Sequence, residues 1–173
     1  ALEYVPIDTA VQGTTGDVQV ESELTVFEAG ELTVTCQLCL EGKEVSRDCR
    51  KIKAEIGTQV VKSALTVENP RLWYPNVYGE QPVYEMTVTI EDADGLSDKK
   101  TLTTGFYTRE YRRAEGAKEE CLPYSVVINE RQPYIKGVNM VPFDIMYGCI
   151  QQETVEHFLR LAKDAHVNLI RVW

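Results

Sequence analysis

The fold class is decided by two stretches, VVINERQPYIKGVNMVP at residues 126–142 and NLIRVW at residues 168–173. Between them, apolar side chains recur at the three-and-four spacing of one helix face. These residues are Val155, Phe158, Leu159, Ala162 and Ala165. The apolar run Leu169–Val172 is typical of a fully buried parallel strand. A strand, a crossover helix and a second parallel strand open an α/β fold, so we predict that this segment begins a larger domain.

Upstream of this segment, the hydrophobic pattern changes to period two. Alternating runs over residues 17–107, separated by turns that contain glycine, predict six or seven short antiparallel strands with one wet face each. Asp94-Gly95 is a hairpin signal, and the dense charges of residues 44–56 predict an edge strand. We therefore predict an immunoglobulin-like antiparallel β-sandwich. Its predicted core residues are Val18, Val20, Leu24, Val34, Cys36, Leu38, Leu65, Met86, Val88 and Ile90.

Four segments result from these patterns. We predict an entry segment or linker at residues 1–16, the sandwich at 17–107, a solvated and highly charged connector at 108–122, and the α/β segment at 123–173. The helical spacing predicts that Phe158 and Leu159 are core residues. His157 and His166 are predicted to be surface residues of the helix rather than catalysts.

The overall charge limits the possible partners. The 173 residues carry a formal net charge of −9, whereas nucleic acids and anionic membranes require clustered Lys and Arg. No run approaches the roughly 18 consecutive apolar residues of a spanning helix. Ala1-Leu2-Glu3 has neither a basic leader nor an apolar core, so we expect no signal peptide in this sequence. The compartment stays open, and a periplasmic or secreted parent protein is compatible with the sequence.

The five cysteines give a weaker signal. Cys36 and Cys39 have the C-x-x-C spacing of redox and zinc sites. A zinc site would need further ligands nearby, whereas the two histidines lie far along the chain. A strand would also direct these two side chains to opposite faces. We therefore expect reduced structural thiols, with no metal and no cofactor.

Two stretches suggest a family. The first is Asn69-Pro70-Arg71-Leu72-Trp73-Tyr74-Pro75, which predicts a proline-stiffened loop that packs Trp73 under the sandwich. The last predicted strand of the sandwich ends at Gly105-Phe106-Tyr107. The second stretch runs from Asn129-Glu130 through Gly137-Val138-Asn139 to Pro142-Phe143-Asp144. It is paired with Arg171-Val172-Trp173 at the end of the sequence. Together these motifs resemble glycoside hydrolase family 2, and most closely its β-mannosidase branch. The resemblance covers residues 17–173 and implies that residues 123–173 begin a (β/α)8, or TIM, barrel.

Three positions depart from the family pattern. Tyr107 stands where the junction motif usually has arginine, and Glu130 stands where the motif of the first barrel strand usually has glycine. Met140 occupies a position that is aromatic in many relatives. The first two departures concern a turn or a packing contact, and the third concerns substrate preference.

The resemblance also implies where the chemistry lies. A retaining glycosidase uses two carboxyl groups about 5–5.5 Å apart, one as acid/base and one as nucleophile. In this family they are glutamates of the fourth and seventh barrel strands. We expect this chain to reach only the second strand, so we assign no catalytic residue to it and expect it to be inactive alone.

Residues at the carboxyl ends of barrel strands line the mouth of the active site. The candidate substrate-binding residues are therefore Trp173, Arg171, Asn139 and Asp144. An indole ring suits the apolar face of a sugar, and a guanidinium can donate to hydroxyl groups or hold a catalytic carboxylate. Alternatively, Trp173 packs as core, Arg171 pairs with a barrel acid and Asp144 caps its loop.

Two other functions stay open at this point. A stand-alone carbohydrate-binding or protein-binding sandwich would need no glutamate pair, and a purely structural spacer would need no site. A parallel strand without a sheet is of no use to a binding module, which favours the hydrolase. A β-linked sugar is the expected partner of the full-length protein. The apolar helix and strand of residues 155–172 also predict that a second copy of the chain covers this end, or else that this end folds back on the sandwich.

Overall fold

The computed structural model describes residues 1–122 and 124–172, with the side chain of Tyr147 left out. The strands of the first part are β1 Leu2–Tyr4, β2 Ile7–Gln12, β3 Thr15–Val26, β4 Gly30–Leu40, β5 Lys43–Ala54, β6 Gly57–Glu68, β7 Tyr84–Asp92 and β8 Gly95–Thr104. After them come β9 Arg109–Arg112, β10 Ser125–Ile128, β11 Gly137–Met140, a short 3-10 helix Tyr147–Cys149, helix α1 Gln152–Asp164 and β12 Leu169–Val172. No helix of the described part is long and apolar enough to cross a membrane.

The chain divides into two compact units, and the first comprises Ala1–Trp73 and Pro82–Thr108. In one of its sheets β3 pairs along its length with β6, while β1 and β2 share the other edge of β3. The second sheet has the strand order β5-β4-β7-β8. All of these pairings are antiparallel. The predicted antiparallel β-sandwich is confirmed.

The period-two pattern decides which side chains enter the core. The ten predicted core residues are each at most 4% exposed. Tyr84 and Phe106, which the prediction did not include, are also fully buried and meet edge to face with ring centroids 4.9 Å apart. Burial of each large apolar side chain contributes about 1.5–3 kcal/mol, so this core is the main source of stability in the first unit.

Two predicted local features are confirmed. Asp92 pairs with Gly95 across the β7–β8 hairpin, and the Asp94 backbone N–H donates to the Asp92 carboxylate at 2.9 Å. Gly95 has a φ of 116°, which glycine adopts without the steric cost that a Cβ would bring. Strand β5 lies at the edge of its sheet, where its charged side chains oppose pairing with another chain.

The N-terminal residues are not the linker that we predicted. Residues 2–4 and 7–12 form β1 and β2, and the backbone of β2 pairs with β3 from Ile7↔Val20 to Gln12↔Thr15. Ile7 and Val11 pack against the core, while Leu2 and Val5 are buried. Pro6 and the glycines of this segment suggested an irregular chain, but the free edge of β3 provides backbone partners for it.

The second unit comprises Tyr74–Gln81 and Arg109–Trp173. The predicted connector is not wholly irregular, because β9 forms an antiparallel pair with β10. All four residues of β9 are exposed, so its charges remain solvated while its backbone is paired. The density of charged residues therefore predicted their exposure correctly but did not predict that residues 109–112 form a strand.

The predicted β-α-β unit is present. Strands β11 and β12 are parallel and in register from Gly137↔Leu169 to Met140↔Val172, and α1 lies between them in the sequence. Two details of the prediction are wrong. Strand β12 is largely exposed, and Phe158 and Leu159 are 46% and 41% exposed rather than core. An amphipathic face is buried only where another element covers it, and among the described residues Phe143 is the ring that stacks on Phe158, at 4.9 Å.

Candidate functional site

The carboxyl ends of β11 and β12 bring two of the candidate residues together. Asn139 and Arg171 are register partners on the two adjacent parallel strands, so their side chains project from the same face. Both residues are exposed. An amide that can donate and accept thus lies beside a guanidinium with five N–H donors. Side by side, these groups can form hydrogen bonds with neighbouring hydroxyl groups of one sugar ring.

A glycine allows the two strands to pack closely. A Cβ on Gly137 would lie 3.3 Å from Cδ2 of Leu169, its register partner, which is closer than ordinary van der Waals contact. The Gly-x-Asn spacing therefore has a physical basis in this unit. Glycine accommodates the Leu169 side chain where the strand begins, and the asparagine two residues later projects from the same face of the sheet.

Asn168 fixes the beginning of β12 against the residues that precede β11. Its backbone N–H donates to the Lys136 carbonyl at 3.0 Å, and its side-chain Oδ1 accepts from the Lys136 N–H at 2.9 Å. Its Nδ2 donates to the Tyr134 carbonyl at 2.9 Å. Three hydrogen bonds from one residue set the register that places Asn139 opposite Arg171.

Asp144 lies in the loop after β11, and the structure shows the capping contact that was the alternative interpretation. Its Oδ1 accepts the backbone N–H of Met146 at 2.8 Å, the Asx-turn arrangement. Among residues 1–122 and 124–172, no carboxylate forms an ion pair with Arg171. Trp173 lies outside the described residues.

The two histidines are exposed, as predicted, but one of them has a backbone role that the sequence did not indicate. His166 lies beyond the end of α1 with a φ of 60°. Its N–H donates to Lys163 O, and the N–H of Val167 donates to Ala162 O. This is the Schellman arrangement of a helix C-terminus, with histidine in the left-handed position that is usually glycine.

Within the first unit, backbone contacts anchor residues 72 and 73 of the loop that follows β6. The Trp73 N–H donates to the Phe106 carbonyl at 2.8 Å, and Leu72 forms an isolated parallel bridge with Phe106. Trp73 is partly buried, and its ring centroid lies 5.9 Å from that of Tyr107. The departure from arginine at Tyr107 thus gives an aromatic contact within this unit.

The cysteines show no arrangement for redox or metal chemistry in the described residues. All five are free thiols, and no group of three or more potential ligands is found in that part of the chain. Cys36 is fully buried, and burial raises its pKa, which keeps it in the unreactive thiol form.

Comparison with known proteins defines the class. The profile of "Glycosyl hydrolases family 2" matches residues 1–106, which is more than half of the chain. The chain therefore belongs to glycosyl hydrolases family 2. Within that family it is β-mannosidase-like, as the following relatives show.

β-Mannosidase B of Emericella nidulans is 24% identical over 159 residues, which are 92% of this chain and 18% of the relative. The β-mannosidase of Capra hircus is 30% identical over 113 residues, 65% of this chain and 12% of the relative. The crystal structure of the β-D-mannosidase from Dictyoglomus thermophilum superimposes with a TM-score of 0.88 at 26% identity, over 100% of this chain and 21% of that one. The chain thus spans less than a fifth of the length of these two curated relatives.

Proposed function

We propose that this chain is the sandwich and first barrel unit of a longer retaining hydrolase that acts on β-mannosides. The observation that carries the proposal is the in-register pair of Asn139 and Arg171 at the carboxyl ends of two parallel strands, the edge where barrel enzymes place their sites. The similarity to β-mannosidases supports this substrate class over other β-glycosides.

In this proposal the two segments have different roles. The sandwich of the first unit, which includes strands β1 and β2, forms a spacer domain, and residues 123–173 begin the catalytic barrel. Arg171 and Asn139 donate hydrogen bonds to sugar hydroxyls, and Trp173 supports the apolar face of the ring. Asp144 holds the loop after β11 through its bond to Met146, which shapes the rim of the site.

The experiment is a comparison of aryl β-D-mannoside, β-D-galactoside and β-D-glucuronide as substrates of the full-length gene product. We expect kcat/KM to be highest for the mannoside. A preference for either of the other two sugars would refute the substrate class while leaving the family membership intact. Product analysis by NMR should show the β-anomer first, because a covalent glycosyl-enzyme intermediate retains configuration.

We further propose that the 173-residue chain alone hydrolyses none of these glycosides. Its described parallel strands are β11 and β12, whereas the family places its two glutamates on later strands. Without both carboxyl groups the two-step mechanism cannot operate. Turnover that copurifies with the chain, above that of a heat-inactivated sample, would refute this claim.

Self-association is a further proposal. Phe158, Leu161 and Leu169 of the second unit are among its exposed large apolar residues. Covering such side chains contributes roughly 1.5–3 kcal/mol each, which favours contact with another apolar surface. Light scattering on the chain, and on a version that ends near Leu122, provides the test. If both are monomeric at equal concentration, the proposal is wrong.

A further inference from the structure

A loop that leaves the first unit after Trp73 and returns to it at Pro82 belongs to the second unit. This segment, Tyr74–Gln81, lies in the sequence between β6 and β7 of the sandwich, yet it clusters with residues 109–173. We refer to Tyr74–Gln81 as the strap loop. Its contacts within the second unit are specific and involve the segment before β11 and the turn before β12.

Asn76 holds the turn that leads into β12. Its Nδ2 donates to the Lys163 carbonyl at 3.0 Å and to the Val167 carbonyl at 3.1 Å, so both hydrogens of the amide are used. The Lys163 carbonyl is one of the last four of α1, which lack a partner within the helix. One side chain therefore joins the end of the helix to the residue that precedes Asn168.

Tyr78 holds the segment that leads into β11. Its hydroxyl accepts the backbone N–H of Tyr134 at 2.6 Å. The Arg131 guanidinium lies 5.5 Å from the centroid of the Tyr74 ring, within the range of a cation–π interaction. The strap loop thus contacts the residues before both parallel strands, at the edge where the two strands begin.

The strap loop is closed by its own contacts. The Tyr74 N–H donates to the Glu80 carbonyl at 2.9 Å, and the Tyr78 N–H donates to the Pro75 carbonyl at 3.0 Å. A Cβ on Gly79 would lie 2.8 Å from the Tyr74 ring, so only glycine permits this closure. These contacts reduce the conformational entropy that the loop would lose when it binds the β-α-β unit.

Backbone strain marks the same place. Val77, between the two contacting residues, has a φ of 69°, a left-handed conformation that is a genuine outlier for a β-branched residue. Its side chain is 55% exposed, so burial does not explain the strain. Such strain persists only where surrounding contacts determine the backbone, and the bonds of Asn76 and Tyr78 are contacts of that kind.

We propose that the strap loop is a clamp that sets the register of β11 and β12. It fastens the segment before β11 and the turn before β12 to one rigid loop, and Asn168 then joins the two directly. The clamp acts on the edge opposite to Asn139 and Arg171, so these two residues keep their relative position through the strands. This inference rests on contacts of the second unit and does not depend on the proposed substrate.

The test uses the complete chain with the substitutions Asn76→Asp and Tyr78→Phe. The first keeps the shape but removes the donating NH2, and the second removes only the accepting hydroxyl. Tyr124→Phe is the matched control, because Tyr124 is an exposed tyrosine of the same unit. Amide hydrogen exchange is followed by NMR, with strands β3, β4 and β7 as the internal reference.

The decisive readout is the Asn168 N–H, which bonds to Lys136 and contacts neither substituted side chain. Its exchange should be about fivefold faster in Tyr78→Phe, which loses one hydrogen bond, and about 25-fold faster in Asn76→Asp, which loses two. Each lost hydrogen bond is worth about 1 kcal/mol of local stability. Exchange in the sandwich strands and in the control should not change.

Two results would overturn the proposal. The first is an unchanged rate at Asn168 in both variants. The second is an equal acceleration in both units, which would show general destabilisation instead of a clamp. If Asn76→Asp does not fold, the Tyr78→Phe variant alone decides between these outcomes, since the loss of one hydroxyl leaves the packing intact.

Discussion

At the scale of single residues, the turn between β10 and β11 has a glutamate at a position where glycine is usual. Ile128 and Arg131 exchange backbone hydrogen bonds at 2.8 and 2.9 Å, and the two residues between them have positive φ angles, 46° at Asn129 and 64° at Glu130. This is the geometry of a type I′ turn, in which Asn-Gly is preferred. The sequence motif identified Glu130 as a substitute for glycine, and its left-handed φ gives the physical cost of that substitution.

The first prediction concerns this turn. Glu130→Gly should raise the free energy of unfolding by about 1 kcal/mol, because glycine adopts the left-handed conformation without a clash of Cβ with the backbone. Denaturant titration of the chain, with tryptophan fluorescence and circular dichroism, measures the change. Gln132→Gly, just after the turn, is the control and should give no gain. Equal stabilisation by both substitutions would show that the φ of Glu130 is not the cause.

The second prediction concerns pH. The Leu2 N–H donates to the Asp98 carboxylate at 2.7 Å, and this hydrogen bond is the largest reason why the pKa of Asp98 lies below its ordinary value. A carboxyl group whose pKa is lowered by folding stabilises the folded state above its ordinary pKa, and that contribution disappears as the pH falls through the folded value.

Asp98→Asn should therefore lower the stability of the chain at pH 7 by less than about 1 kcal/mol, since solvent still reaches the half-buried carboxylate. The difference between the two proteins should shrink as the pH is lowered below the ordinary pKa of Asp and should vanish below the lowered pKa of Asp98 in the folded state. Thermal unfolding from pH 7 to pH 3 gives the measurement, with Glu85→Gln on the exposed face of β7 as the control. A difference that grows on acidification would contradict the assigned sign.

At the scale of the elements, the alternation of apolar and polar residues was sufficient to predict the sandwich, because each of its two sheets buries one face. Val18 and Val88 follow the same rule on strands far apart in the sequence, and both are 0% exposed. The hairpin at Asp94-Gly95 was predictable for a different reason, since few turns fit such a sequence. Where local chemistry and burial agree, the sequence alone is informative.

Elements that depend on distant partners were not predictable in the same way. Residues 7–12 form β2 because β3 has a free edge, and residues 109–112 form β9 because β10 lies opposite. The helical period of α1 was correct, but it could not show whether anything covers Phe158 and Leu159. Prediction of the candidate site was limited in the same way. The motif pointed to Asn139 and Arg171 as candidates. No sequence pattern indicated the hydrogen bonds that Asn76, Tyr78 and Asn168 form.

The third prediction concerns strand β7. Val88→Asp should destabilise the chain by about 3–5 kcal/mol, because it places a carboxylate without a partner between the two sheets. Thr89→Asp, on the opposite and half-exposed face of the same strand, should cost much less. Melting temperatures followed by circular dichroism give the comparison. Similar losses in the two variants would contradict the assignment of the strand faces.

At the scale of the whole molecule, two units share one chain without a simple linear boundary. The second unit takes Tyr74–Gln81 from the middle of the sandwich sequence. A barrel cut out after Thr108 would therefore lack the strap loop, although it would keep every strand and helix of the second unit. The family membership, together with this organisation, leads to a claim about function that a single substitution can test.

The fourth prediction concerns Arg171 in the longer hydrolase that we propose contains this chain. The Arg171→Ala variant is compared with wild type for hydrolysis of an aryl β-D-mannoside, and Arg160→Ala on α1 is the control for loss of an exposed arginine. A charge-assisted hydrogen bond to the sugar is worth about 1.5–3 kcal/mol, so kcat/KM should fall about 10- to 100-fold in the first variant. The control should stay within about twofold of wild type. Equal kcat/KM values in all three proteins would contradict the placement of the sugar site at the ends of β11 and β12.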